Sequence, residues 1–64
     1  MTLNEARNLQ VGDVVVHKFL KTEWIVIESH PTKTNEATFR HVLQLGFRKQ
    51  RFNEKGLHLW ELKN

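Results

Sequence analysis

The sequence predicts an all-β domain: a small five-stranded barrel with a short N-terminal helical turn. Three observations predict it. Gly12-Asp13 opens into the β-branched run Val14-Val15-Val16, a second apolar burst follows at Trp24-Ile25-Val26-Ile27, and Ala37–Phe47 alternates along its length. β-branched and aromatic residues concentrate where a pleated, half-buried surface suits them. Five short strands with partly apolar faces favour a barrel, because closure hides edges that would otherwise pair with other chains.

The elements follow in order. Thr2-Leu3-Asn4-Glu5 has the form of a capping box and predicts one or two helical turns over Leu3–Asn8, packed as a lid on one end of the barrel. Val11-Gly12-Asp13 is a turn, since Gly tolerates positive φ and Asp bonds the backbone beside it. Val14–Phe19 is the first strand, Leu20–Glu23 a polar connector, and Trp24–Ser29 the second strand of a hairpin. His30–Glu36 holds the only Pro and reads as the most mobile loop.

In Ala37–Phe47, Phe39, His41, Leu43, Leu45 and Phe47 share one face, while Thr38, Arg40, Val42 and Gln44 share the other. His41 is the polar exception on the apolar side and reads as a histidine satisfied at the barrel end. Gly46 reads as a bend or bulge. Arg48–Phe52 is the fourth strand, Asn53–Gly56 a turn and Leu57–Leu62 the last strand. The expected core is Val14 or Val16 with Ile25, Ile27, Phe39, Leu43, Leu45, Leu57, Leu59 and Leu62; the parity of the first strand stays open.

At 64 residues the chain makes one domain, 1–64, with one core. A domain this short buries only about 60% of its unfolded surface. It has no cysteine, so no disulfide or thiolate metal site can brace it. No apolar run approaches a membrane span and no apolar signal core opens the chain, so a cytoplasmic location is expected.

The segments Val11–His17, Ile25–Ser29, Leu43–Leu45 and Leu57–Leu59 together resemble SH3-like small barrels of the Tudor and KOW type. The same four segments, opened by Gly12-Asp13-Val14-Val15-Val16-His17, are similar to the RNA-polymerase-interacting domain of CarD-type regulators and transcription-repair coupling factors. That resemblance implies an SH3-like barrel and a partner within a large machine such as RNA polymerase. The Gly-rich turn that usually follows the His in those families is replaced here by Lys18–Trp24, which contains no Gly.

No pattern of nucleophile, base and acid stands out. Ser29 is the only serine and lacks the glycines of a nucleophile elbow, so an enzyme is not expected. His17, His30, His41 and His58 lack metal-ligand spacing, so neither metal nor cofactor is expected.

Charge carries the functional reading. The chain has a formal net charge of +3. Between Ala37 and Gly56, the cations Arg40, Arg48, Lys49, Arg51 and Lys55 face Glu54 alone, a local balance of +4. Phe47-Arg48-Lys49-Gln50-Arg51-Phe52 interleaves cations with aromatics, a composition that neutralises phosphates and stacks on unpaired bases. Arg40, Arg48, Lys49, Arg51, Phe52 and Lys55 are therefore the candidate nucleic-acid-binding residues. The same composition also suits a charged edge strand with both Phe rings in the core.

Trp24 and Trp60 lie opposite the apolar parity of their strands, so outward indoles would mark a protein-interaction surface; inward ones would plug the barrel. The expected function is a non-enzymatic binding module with nucleic acid as its partner. The alternative is a protein-interaction module or inhibitor, of the kind phages encode, acting on a larger machine.

Overall fold

Thr2 starts the helix. Its hydroxyl accepts from the Glu5 N–H at 3.1 Å, and the Glu5 carboxylate accepts from the Thr2 N–H at 2.8 Å. This reciprocal cap begins α1, Leu3–Arg7. The computed structural model describes residues 1–63. After α1 come β1 (Val14–His17), β2 (Glu23–Pro31), β3 (Phe39–Leu45), β4 (Arg48–Asn53), a 3-10 helix (Glu54–Leu59) and β5 (Trp60–Leu62).

The strands form one antiparallel sheet in the order β4-β3-β2-β1-β5. The all-β expectation with its N-terminal helical turn is met. Closure is not made by hydrogen bonds: among the described residues no ladder joins β4 to β5, and the 3-10 helix spans the interval between them. β4 and β5 are therefore the two edges.

Inside and outside are decided by the rings. The core comprises Ala6, Leu9, Val15, Trp24, Val26, Phe39, Leu43, Phe52 and Trp60, with the buried His41 among them. Ring contacts run from His41 through Phe39, Phe52 and Trp60 to Trp24, with successive centroids 4.7 to 5.9 Å apart. Edge-to-face and tilted geometries at these distances suit the ring quadrupoles.

This core corrects the expected parity of two strands, β1 and β2. Val15 points in, rather than Val14 or Val16; Trp24 and Val26 point in, rather than Ile25 and Ile27. A buried indole removes more apolar area from water than an isoleucine, so burying Trp24 and Trp60 wins over burying their neighbours. A bulge between Val26 and Glu28 then resets β2, so that Ser29 pairs with His41 and turns inward.

Leu57 and Leu59 belong to the 3-10 helix and pack at the core margin, not on a strand. The Asn53 side chain starts that helix by accepting from the Lys55 N–H at 3.0 Å. Leu62, expected inside, is 39% exposed at the end of the short edge strand. Gly46 makes no bulge. It sits at φ 60° in the two-residue Gly46-Phe47 loop, where positive φ at the first position closes a tight β3–β4 hairpin. The expected β3 alternation holds, with Phe39, His41 and Leu43 buried in turn.

The N-terminal segment is fastened to the sheet by polar groups. The His41 Nδ1 accepts from the backbone N–H of His30 at 3.0 Å, and its Nε2–H donates to the Ala6 carbonyl at 2.8 Å. A backbone amide must donate and a carbonyl must accept, so these partners select the neutral Nε2–H tautomer. The Ser29 hydroxyl donates to the Leu9 carbonyl. Arg7 donates to the carbonyls of Thr32 and Asn35, each at 3.0 Å, and to that of Thr38. The loop expected to be most mobile is thereby tied to α1 at two backbone points, Thr32 and Asn35, with a third just beyond it at Thr38.

Replacing His41 by Phe keeps a ring in the core but takes the acceptor from the His30 amide and leaves the Ala6 carbonyl with the Leu9 N–H alone. An amide left unpaired in this way costs on the order of 1–3 kcal/mol. His41→Phe should lower the urea midpoint accordingly and speed hydrogen exchange across α1.

Hydrogen bonds from the Thr2 backbone, then the Thr2 side chain, hold the Glu5 pKa below its ordinary value. The stabilisation they bring is present above the unfolded carboxylate's pKa and fades as pH falls through the lowered folded value. Wild type should therefore be more stable than Glu5→Gln at neutral pH. Thermal melts taken at decreasing pH should show that gap closing.

Candidate functional site

β4 alternates across the sheet, and its register against β3 assigns each cation to a face. Arg40 lies opposite Asn53, Val42 opposite Arg51, and Gln44 opposite Lys49. Phe52 is inside, so Lys49, Arg51 and Asn53 point out, with Arg40 beside them on β3. Residues two apart on a strand stand about 7 Å from each other. Lys49, Arg51 and Arg40 thus form one row on the outer face.

Arg48 has the other parity and turns toward the end of the sheet, where it lines a cleft with Lys49, Gln50, Trp24 and Trp60. Lys55, on the 3-10 helix, borders a groove of about 680 Å3 that Arg40 also lines. A third depression, between β3 and β4, is lined by Arg40, Arg51 and His30. The five expected cations therefore follow β4 from its hairpin turn to the 3-10 helix, with three on one face and one beyond each end.

Among the described residues the ion pairs are His30–Glu28 at 3.2 Å and Lys63–Glu23 at 2.9 Å. No carboxylate there pairs with Arg40, Arg48, Lys49, Arg51 or Lys55. An unpaired cation on an edge strand opposes the addition of another chain's strand and leaves its charge available to an anion.

The aromatic candidates are corrected. Phe52 is 1% exposed and packs on Phe39 and Trp60, so it has no free face for a base. Its place opposite His41 on β3 commits it to the core. Trp24 and Trp60 are 7% and 4% exposed, and meet edge-to-face at 5.8 Å. Trp24 donates its indole N–H to the Thr22 hydroxyl at 2.9 Å. The two indoles pack into the core and reach the surface only where they line a cleft with Arg48 and Gln50.

Other large apolar side chains, outside the expected site, stand in solvent. Phe47 is fully exposed at the β3–β4 hairpin tip, and Phe19 and Leu20 are 66% and 68% exposed in the turn between β1 and β2. Antiparallel order puts both turns at the same end of the sheet. The Gly-X pair of a two-residue hairpin was the available signal for Phe47.

The histidines serve separate places. His17 Nδ1 accepts from the N–H groups of Phe19 and Leu20, His30 pairs with Glu28, His41 is in the core, and His58 is exposed on the 3-10 helix. Among the described residues no three His, Asp or Glu side chains gather as a metal-ligand group, and no helix is long and apolar enough to cross a membrane. No protein-family model matches the chain, no curated protein matches it in sequence, and no solved structure matches it.

The two phenylalanines that bracket the basic run separate cleanly by experiment. Phe52→Ala should cost about 3–5 kcal/mol, enough to unfold most of so small a domain. Phe47→Ala should stay within about 0.5 kcal/mol of wild type. Circular dichroism melts of the two variants check both values.

Proposed function

We propose that this chain is a non-enzymatic nucleic-acid-binding module that holds a sugar–phosphate backbone along β4. What supports the reading is the row Lys49, Arg51 and Arg40 on one face, extended by Arg48 and Lys55, with no carboxylate pairing any of them among the described residues. Cations that need not break an internal ion pair before meeting a phosphate give up little on binding. They gain the entropy of released counterions. A cytoplasmic location belongs to the same reading.

A second reading has its own observation. Phe19, Leu20 and Phe47 are large apolar side chains exposed at one end of the sheet, and such clusters mark protein contacts. On that reading the chain is an interaction module or inhibitor of a larger machine, as the CarD-type resemblance implies.

Fluorescence anisotropy with a labelled 20-nucleotide single strand and its duplex tests the first reading. Affinity should fall with salt, with a log–log slope of about −3 to −4 on duplex for some four neutralised phosphates. The double variant Lys49→Glu, Arg51→Glu should weaken binding at least about tenfold while keeping the wild-type melting temperature. Lys63→Gln, just after β5 at the opposite edge of the sheet, should leave binding near wild type. Absence of binding at low salt, or indifference to the double reversal, refutes the proposal.

A further inference from the structure

The concave side of the sheet is covered unevenly. Around His41 and Ser29 it is closed by α1 and the segment after it, through Ala6, Leu9 and their hydrogen bonds. At the opposite end, beneath the two turns, a cleft of about 250 Å3 stays open. Its apolar lining is Trp24, Trp60, Leu45 and Leu59, with Leu20 from the β1–β2 turn.

The polar groups on its walls are mostly donors. Arg48 and the Gln50 amide come from β4, and His17 from β1, while Lys49 borders the cleft from the outer face. His17 Nδ1 already accepts from the N–H groups of Phe19 and Leu20, which leaves Nε2–H as its remaining donor. An apolar lining with donor walls fits a flat ring carrying carbonyl oxygens. The volume lies below the roughly 300–1,000 Å3 of a drug-sized pocket, which limits the occupant to one ring. Lys49 belongs both to this cleft and to the outer row with Arg51 and Arg40, so the cleft and the phosphate track are continuous.

We infer that the cleft receives one unpaired nucleobase, so that the module selects single-stranded over double-stranded nucleic acid. This rests on the nucleic-acid reading above and names the form of its ligand. The base enters between Leu20 and Gln50, its flanking phosphates lie on Arg48 and Lys49, and the strand continues toward Arg51. Phe47, one residue before Arg48 at the hairpin tip, offers a free ring to the neighbouring base. A duplex reaches the outer row but cannot place a paired base in the cleft.

The experiment uses the chain's only two tryptophans, both lining the cleft, as reporters. Their emission is titrated with a 12-mer oligothymidylate, with a 12-base-pair duplex and with an acidic leucine-containing peptide. The oligothymidylate should quench emission and bind about tenfold more tightly than the duplex. Leu20→Glu, a change at an exposed turn position, should abolish quenching and that preference while leaving duplex binding intact. Phe47→Ala should weaken single-strand binding alone.

Equal binding of single strand and duplex with unchanged emission overturns the inference and leaves the phosphate-track reading standing. Failure to bind either nucleic acid at low salt removes the reading and the inference together. Quenching by the acidic peptide but not by the oligothymidylate overturns the inference and assigns the cleft to a protein.

Discussion

Burial of Trp24 against Trp60 sets the parity of the sheet's β1–β5 side. Residues directly opposite on paired strands share a face. Val15 pairs with both Trp24 and Leu62, and His17 pairs with Trp60, so placing the indoles inside carries Val15 in with them. The same choice sends Ile25 out, where it is 43% exposed. In a chain this small, two rings of large area outweigh several aliphatic side chains, and the sheet accommodates them. The bulge at Ile27 follows from that decision: without it, the parity that buries Trp24 and Val26 would turn Ser29 away from Leu9.

The other half of the structure depends on polar fastening. α1 is five residues long, too short to persist by its own hydrogen bonds. It persists because His41 reaches its Ala6 carbonyl, Arg7 grips the loop beyond β2, and Ala6 and Leu9 enter the core. Buried polar groups carry a penalty unless all are paired, and among the described residues no buried side-chain nitrogen or oxygen is left without a partner. The domain thus combines an aromatic wedge at one end with a hydrogen-bonded lid at the other.

Much of this was legible in the residues. The capping box at Thr2–Glu5 located α1, and alternating large side chains located β3 with its inward face correct. The parity of β1 and β2 was misread because Val14–Val16 and Ile25–Ile27 are apolar on both sides, and periodicity cannot choose between equal faces. Packing against Trp60, distant in sequence, made the choice. Leu57 and Leu59 misled for a related reason: spacing by two fits a strand, but Asn53 capping turned the segment helical first. At the candidate site, the charge excess could be counted but its directions could not. Which of Phe47 and Phe52 is free follows from the Gly46-Phe47 turn, whose two-residue length brings Phe52 opposite His41; the composition of the basic run alone does not show it.

The grip of Arg7 has a consequence for how this chain can change. It holds Thr32, Asn35 and Thr38 by their carbonyl oxygens alone. Every residue type supplies that oxygen, so at these anchor points the guanidinium is blind to side-chain identity. Variation at Thr32 and Thr38 leaves the three bonds of that grip in place, whereas Asn35 also spends its side chain, accepting from the Ala37 N–H at 2.9 Å.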